Sequence, residues 1–164
     1  MKKLWIVLVL SALLSGCSGK IDYETLQDVY APQSPQEAKQ IQITLPKNAA
    51  ASAMEGSTGK IYFCDGYEIA LETLSAGNVD ETIRLLTGYA REDLTVMQTK
   101  LDSVSRYECA WVAAGESGDL IGRLAIYDDG VYHYCLTATA LAEDAASLYQ
   151  DWGALFESFC VAES

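Results

Sequence analysis

From Val104 to Ala140 the sequence runs through three apolar, strand-forming stretches with almost nothing between them. They are Val104–Ala114, Asp119–Tyr127 and Val131–Ala140, and the links are Gly115-Glu116-Ser117-Gly118 and Asp128-Asp129-Gly130. Parallel neighbours need a crossover of about a dozen residues or more, so links this short force an antiparallel meander. Such a sheet must bury at least one face. The segment that follows, Leu141 to Phe159, is patterned to cover it: Ala145, Leu148, Tyr149, Trp152, Leu155, Phe156 and Phe159 recur at intervals of three and four, the spacing of one helical face. Glu143, Asp144, Gln150, Asp151 and Glu157 form its wet side. Meander and long terminal helix together define an α+β chain.

Upstream elements fit the same class. Ile41, Ile43 and Leu45 alternate with polar residues and end at Pro46, which predicts a first strand. Residues 47–59, rich in Ala, Ser and Gly, read as a loop. Lys60–Cys64 and Tyr67–Leu74 flank Asp65-Gly66, a hairpin signal of the type I′ kind. Asn78 precedes Val79, Ile83 and Leu86 at helical spacing, Glu81 stands three residues on, and Gly88 ends the run. Leu94–Thr99 predicts one more strand. In the meander, Tyr107, Cys109 and Trp111 share one face and Arg106, Glu108 and Ala110 the other. The first trio is the expected core.

The element order resembles the PsbP/Mog1-like α/β/α sandwich. The resemblance rests on the early hairpin, the helix followed by Gly88-Tyr89, and the terminal helix closing on Phe156-Glu157-Ser158-Phe159. It spans about residues 40–162 and implies an accessory role beside membrane complexes, with no functional residue carried over. A cystatin-like or NTF2-like curved sheet is the alternative.

The N-terminus reads as an address. Lys2 and Lys3 precede the apolar run Leu4–Leu14, which is too short to span a membrane, where about 20 apolar residues are needed. It has the make-up of a secretory signal. Leu14-Ser15-Gly16-Cys17 resembles the lipobox of bacterial lipoproteins. That resemblance implies cleavage before Cys17, a lipidated Cys17 as the new terminus, and a membrane-anchored, extracytoplasmic protein. The expected organisation is a signal peptide over 1–16, the lipidated Cys and a flexible tether over 17–39, and a single α+β domain over 40–164. Ser18, with no Asp at that position, allows sorting to an outer membrane in a two-membrane cell.

Without Lys2 and Lys3, nine basic and 23 acidic groups remain, a net charge of −14. The basic residues are scattered, so a nucleic-acid surface, which needs clustered Lys and Arg, is excluded. No phosphate-cradling loop, dinucleotide fingerprint or calcium-loop ladder is present, so neither a cofactor nor a metal is expected. Cys64, Cys109, Cys135 and Cys160 remain after Cys17. The meander sets Cys109 and Cys135 on either side of its middle strand, too far apart to bond. That leaves the pairing of Cys135 with Cys160 and of Cys64 with Cys109, in which the returning helix carries Cys160 toward Cys135, or the other cross-pairing. Disulfides and free thiols both stay open. The gaps between these cysteines hold no zinc knuckle.

His133 is the only histidine, so any histidine chemistry rests on it. Near the start of its strand and beside Asp128-Asp129, it is expected to keep its proton longer as pH rises. Of the ten tyrosines, Tyr62, Tyr67, Tyr107, Tyr127, Tyr132 and Tyr134 fall on predicted strands, as sheet packing or as a binding face. No residue is assigned a catalytic role. The leading expectation is a non-enzymatic accessory lipoprotein that binds an envelope protein. A small-ligand or divalent-cation binding module is the alternative, and a carboxylate- or His133-dependent enzyme the third.

Overall fold

The computed structural model describes residues 36–52, 59–115 and 118–162. Lipobox residue Cys17 and most of the expected tether lie outside them. The described strands are β1 (Ile41–Gln42), β2 (Ala50–Ala51), β3 (Gly59–Cys64), β4 (Tyr67–Ser75), β5 (Met97–Leu101), β6 (Val104–Ala113), β7 (Leu120–Asp128), β8 (Tyr132–Leu141) and β9 (Cys160–Val161). Helix α1 spans Val79–Thr87 and α2 spans Ala145–Ser158, with short 3-10 turns at Arg91–Asp93 and Ala142–Asp144. Seven strands form one antiparallel sheet in the order β2-β3-β4-β8-β7-β6-β5. The meander is there, and β4 inserts beside β8, pairing from Tyr67↔Ala140 to Ser75↔Tyr132.

Alternation along the strands divides two cores. On one face Ile69, Leu71, Tyr134, Leu136 and Ala138 pack with Leu148, Trp152, Leu155 and Phe156 of α2. On the other, Leu74, Cys135, Leu124, Ile126, Tyr107 and Cys109 pack with Ile83 of α1. The result is an α/β/α sandwich. Tyr107 and Cys109 are buried as expected, while Trp111 is half-buried and lies over Gly122.

The start and stop signals of α1 act as read. Asn78 Oδ1 accepts from Asp80 N at 3.0 Å, and Gly88 closes the helix at φ +79° with its N–H on Arg84 O. Five local expectations change. In the β3–β4 turn only Gly66 has positive φ (+82°), as at the third position of a type II turn; Asp65 does not, so the turn is not type I′. Ile41, Ile43 and Leu45 do pack on the α2-side core, but only Ile41–Gln42 pairs, and it pairs with β9 outside the main sheet. Within the expected loop, Ala50–Ala51 adds a short strand to β3. The strand expected at Leu94 begins at Met97, because Leu94 and Val96 pack first against the α1-side core. Tyr149 leaves the stripe: its side chain is 82% exposed on α2. A helical stripe about 100° wide cannot press every member against a sheet.

Candidate functional site

One end of the sheet gathers the polar groups. There the β5–β6 turn (Asp102-Ser103), the β7–β8 turn, the entering segment 36–39 and β9 meet around a cleft of about 540 Å³. Lys39, Thr99, Leu101, Arg106, Tyr127, Asp129, Tyr134 and Cys160 line it. A recess of about 380 Å³ adjoins it and shares Lys39, Ser103, Val104, Asp129 and Tyr134.

Local chemistry builds the walls. Asp129 closes the β7–β8 turn: its Oδ1 accepts from Val131 N at 3.0 Å and Tyr132 N at 2.8 Å. Its Oδ2 accepts from Tyr134 Oη at 3.3 Å and lies 3.6 Å from Lys39 Nζ. Burial pushes the Asp129 carboxyl up, but these two backbone N–H groups, Lys39 and Tyr134 outweigh it and hold it below its ordinary range. Burial chiefly raises the Tyr134 phenol, with Asp129 adding to the shift, so it stays protonated. Tyr134 Oη also accepts from Lys39 N at 3.1 Å, and Tyr132 Oη donates to Gln36 O. Residues 36–39, expected within the tether, are thereby fastened to the end of β8.

On the opposite wall stands Arg106, one member of an ion-paired strip. Arg106 Nε lies 2.8 Å from Glu108 Oε1, and Arg123 Nη2 donates to Glu108 Oε2 at 2.9 Å. Arg106 also donates to Tyr127 Oη at 2.7 Å and to Phe156 O at 2.9 Å, fixing the guanidinium against the end of α2. The cleft therefore presents phenolic hydroxyls and compensated charges, which suit hydrogen-bonded recognition. Tyr127, Tyr132 and Tyr134 come together here, while Tyr62 lines a separate groove of about 680 Å³ beside Ile41–Leu45. Tyr67 and Tyr107 sit in the two cores. Sequence reading missed Lys39 and Arg106 as members of the site. The Tyr132-His133-Tyr134 alternation was the signal available, since it places both phenols on one face.

His133 points the other way and is wholly buried under α1. Its Nδ1 lies 2.8 Å from Thr82 Oγ1, and its Nε2 lies 3.7 Å from Asp128 Oδ1 without a hydrogen bond. The expectation of a longer-held proton is corrected here. Burial lowers the ring's pKa, and that loss of solvation exceeds the attraction of Asp128 and Asp129. A ring with no exposed surface meets no substrate in this conformation. Among the described residues no group of three His, Cys, Asp or Glu side chains is placed to hold a metal ion.

The pH dependence follows with its sign. The folded form favours the neutral ring, so as pH falls through the ordinary value of 6.5 the unfolded chain takes up a proton first. Stability tied to His133 is full above that pH and is lost below it. Half-buried Glu72, whose carboxyl is raised by desolvation, works in the opposite direction as pH falls. The difference between wild type and His133→Gln isolates the ring. We expect the urea midpoint of the wild type to fall relative to the variant between pH 7 and pH 5, and parallel profiles would refute this.

All four described cysteines are free thiols. Cys135 faces α1, whereas Cys160 lies on β9 beside the α2-side core, so the sheet stands between them. Cys64 and Cys109 are on β3 and β6, with β4, β8 and β7 between, roughly 19 Å by strand spacing. The returning helix thus does not bring Cys160 to Cys135. Cys109 stands opposite Leu124 and Cys135 opposite Ile126, flanking β7 as expected. Burial pushes the Cys109 thiol up to about 11 and Cys135 well above its ordinary value. Alkylation of the native protein at pH 8 should label exposed Cys160 at least tenfold faster than Cys109 or Cys135. Equal rates read by mass spectrometry would contradict this placement.

No protein-family model matches the sequence, and no curated protein matches it. Solved structures do match in fold. A protein from Bacteroides thetaiotaomicron superposes with a TM-score of 0.52 at 9% identity, over 76% of this chain and 46% of its own. Cyanobacterial PsbP (CyanoP) from Synechocystis gives 0.52 at 7% identity, over 79% and 96%. LpqN of Mycobacterium tuberculosis, involved in cell envelope biogenesis, gives 0.49 at 12%, over 80% and 87%. The chain has a PsbP-like fold. It spans less than half of the Bacteroides protein, and at these identities the likeness is one of fold alone.

Proposed function

We propose that this chain is an extracytoplasmic accessory lipoprotein, anchored through Cys17, whose α+β domain binds a protein of the cell envelope without catalysing a reaction. One observation carries the reading. His133, Cys109 and Cys135 are buried under α1, while the open cleft displays tyrosine hydroxyls and paired charges, with the Cys160 thiol at its edge and no histidine beside it. The Leu14-Ser15-Gly16-Cys17 motif supports the anchor. No described helix is long and apolar enough to cross a membrane.

The test is a photo-crosslinking residue placed at Ser103, on the rim of both cavities, in the full-length chain. A single envelope protein captured from Ser103, but not from Glu81 on α1, and lost with Cys17→Ala, is the expected result. Capture that is the same from both positions, or none at all, would sink the proposal.

The cleft's size favours one other reading, a small hydrogen-bonding ligand seated among Tyr127, Tyr134 and Arg106. Such a ligand would raise the melting temperature by mass action. The rise should vanish in Tyr134→Phe.

A further inference from the structure

β5 ends the main sheet, and all five of its residues are exposed. Its inner edge is paired with β6, and among the described residues no strand pairs its outer edge. The opposite end strand, β2, is only two residues long, a common way of blunting an edge. β5 is longer and contains no proline.

Hairpin geometry decides which backbone groups face outward. Asp102-Ser103 join Leu101 to Val104 through a two-residue turn, so that flanking pair exchanges both hydrogen bonds. Alternation makes Thr99↔Arg106 and Met97↔Glu108 hydrogen-bonded pairs as well. Gln98 and Lys100 therefore direct their N–H and C=O groups away from β6.

We propose that β5 pairs antiparallel with β5 of a second copy of this chain, about a two-fold axis at Thr99, joining the two sheets into one. In that register Gln98 and Lys100 of each copy exchange backbone hydrogen bonds with Lys100 and Gln98 of the other. On the α2 side, Met97 meets Leu101 of the partner copy twice, covering two side chains that are 62% and 79% exposed alone. On the α1 side, Lys100, the strand's only charge, faces an amide. Other registers are worse. An axis at Lys100 sets two ammonium groups opposite each other, which destabilises a cross-strand pair. An axis at Gln98 separates Met97 from Leu101. The lysine that discourages unregistered edge pairing thus selects one register.

The register makes a geometric demand. At the axis the two Thr99 residues form a non-hydrogen-bonded pair, with Cα atoms about 4.5 Å apart. A disulfide bridges such a distance. Residues 98 and 100 meet their own counterparts only diagonally, beyond that reach.

Thr99→Cys, Gln98→Cys and Lys100→Cys are made singly in the full-length chain carrying Cys160→Ser, and oxidised with copper phenanthroline in membranes. We expect Thr99→Cys to give a covalent homodimer on a non-reducing gel at least tenfold faster than the other two. Adding Lys100→Pro, which deletes an outward N–H and spares the bonds to β6, should abolish it. Unchanged circular dichroism establishes that each variant is folded. Equal rates at the three positions, or persistence of the dimer with Lys100→Pro, would overturn the register. A mixed disulfide with a different protein would overturn the homodimer in favour of a foreign strand.

Discussion

Phe156→Ala is expected to destabilise the domain by about 3–5 kcal/mol, the range for deleting a fully buried aromatic. Phe156 is 0% exposed and lies at the centre of the α2-side core. Its ring also carries the Arg123 guanidinium at 4.3 Å, so truncation leaves a cavity and loosens the Arg106–Glu108–Arg123 strip. A small domain has about 5–15 kcal/mol of stability in all, so the loss is a large fraction of the whole. The control is on the same helix. Tyr149→Ala removes another aromatic of the sequence stripe, but one that is 82% exposed, and should change stability by less than about 0.5 kcal/mol. Urea unfolding of both variants checks the pair, and comparable losses would mean that α2 is rotated from its described position.

Gly122→Ala is the second large effect, with the opposite physics. Gly122 has an ordinary extended backbone, so φ strain plays no part. The difficulty is space. A methyl group there would sit 2.6 Å from Trp111 Cη2 and closer still to two other indole atoms. The ring lies flat on the glycine of the neighbouring strand, where Trp111 pairs with Gly122. Inserting a carbon requires the indole to lift, at about 1–3 kcal/mol for overpacking. The double variant with Trp111→Ala removes the clash. Gly122→Ala should then cost less in the Trp111→Ala background than in the wild type, a favourable coupling read from a double-mutant cycle. Additive losses would mean that ring and glycine do not touch.

The same glycine shows where sequence reading runs out. Alternation assigned Tyr107, Cys109 and Trp111 to one face, and the structure agrees. Nothing local in the sequence tells that Trp111 needs a bare position opposite it, because the pairing partner depends on the register of β6 against β7. The short links of the meander came close to setting that register, and Cys109 does stand opposite Leu124. They did not reveal that β4 lies beside β8, a contact between residues 57 to 73 positions apart. The candidate site divides likewise. Tyr132 and Tyr134 were legible as one strand's face, but Lys39 and Arg106 reach the same cleft from distant segments.

Histidine 133 makes the point most plainly. Its neighbours in sequence, Asp128-Asp129, argued for a longer-held proton. Its neighbours in space, Thr82 on α1 and the apolar α1-side core, reverse the shift, because desolvation under a helix outweighs a carboxylate 3.7 Å away.

Sequence alone determined the α+β class, the antiparallel meander, the bounds of α1, and the helix that must cover a sheet face. Each of these follows from local periodicity, turn length and caps. Tertiary structure decided which face Cys160 approaches, that β1 pairs with β9, that Tyr149 is wet, and that an end strand stands open. Those outcomes depend on strand order and helix rotation, set by contacts between segments far apart in the chain, where local pattern carries no distance.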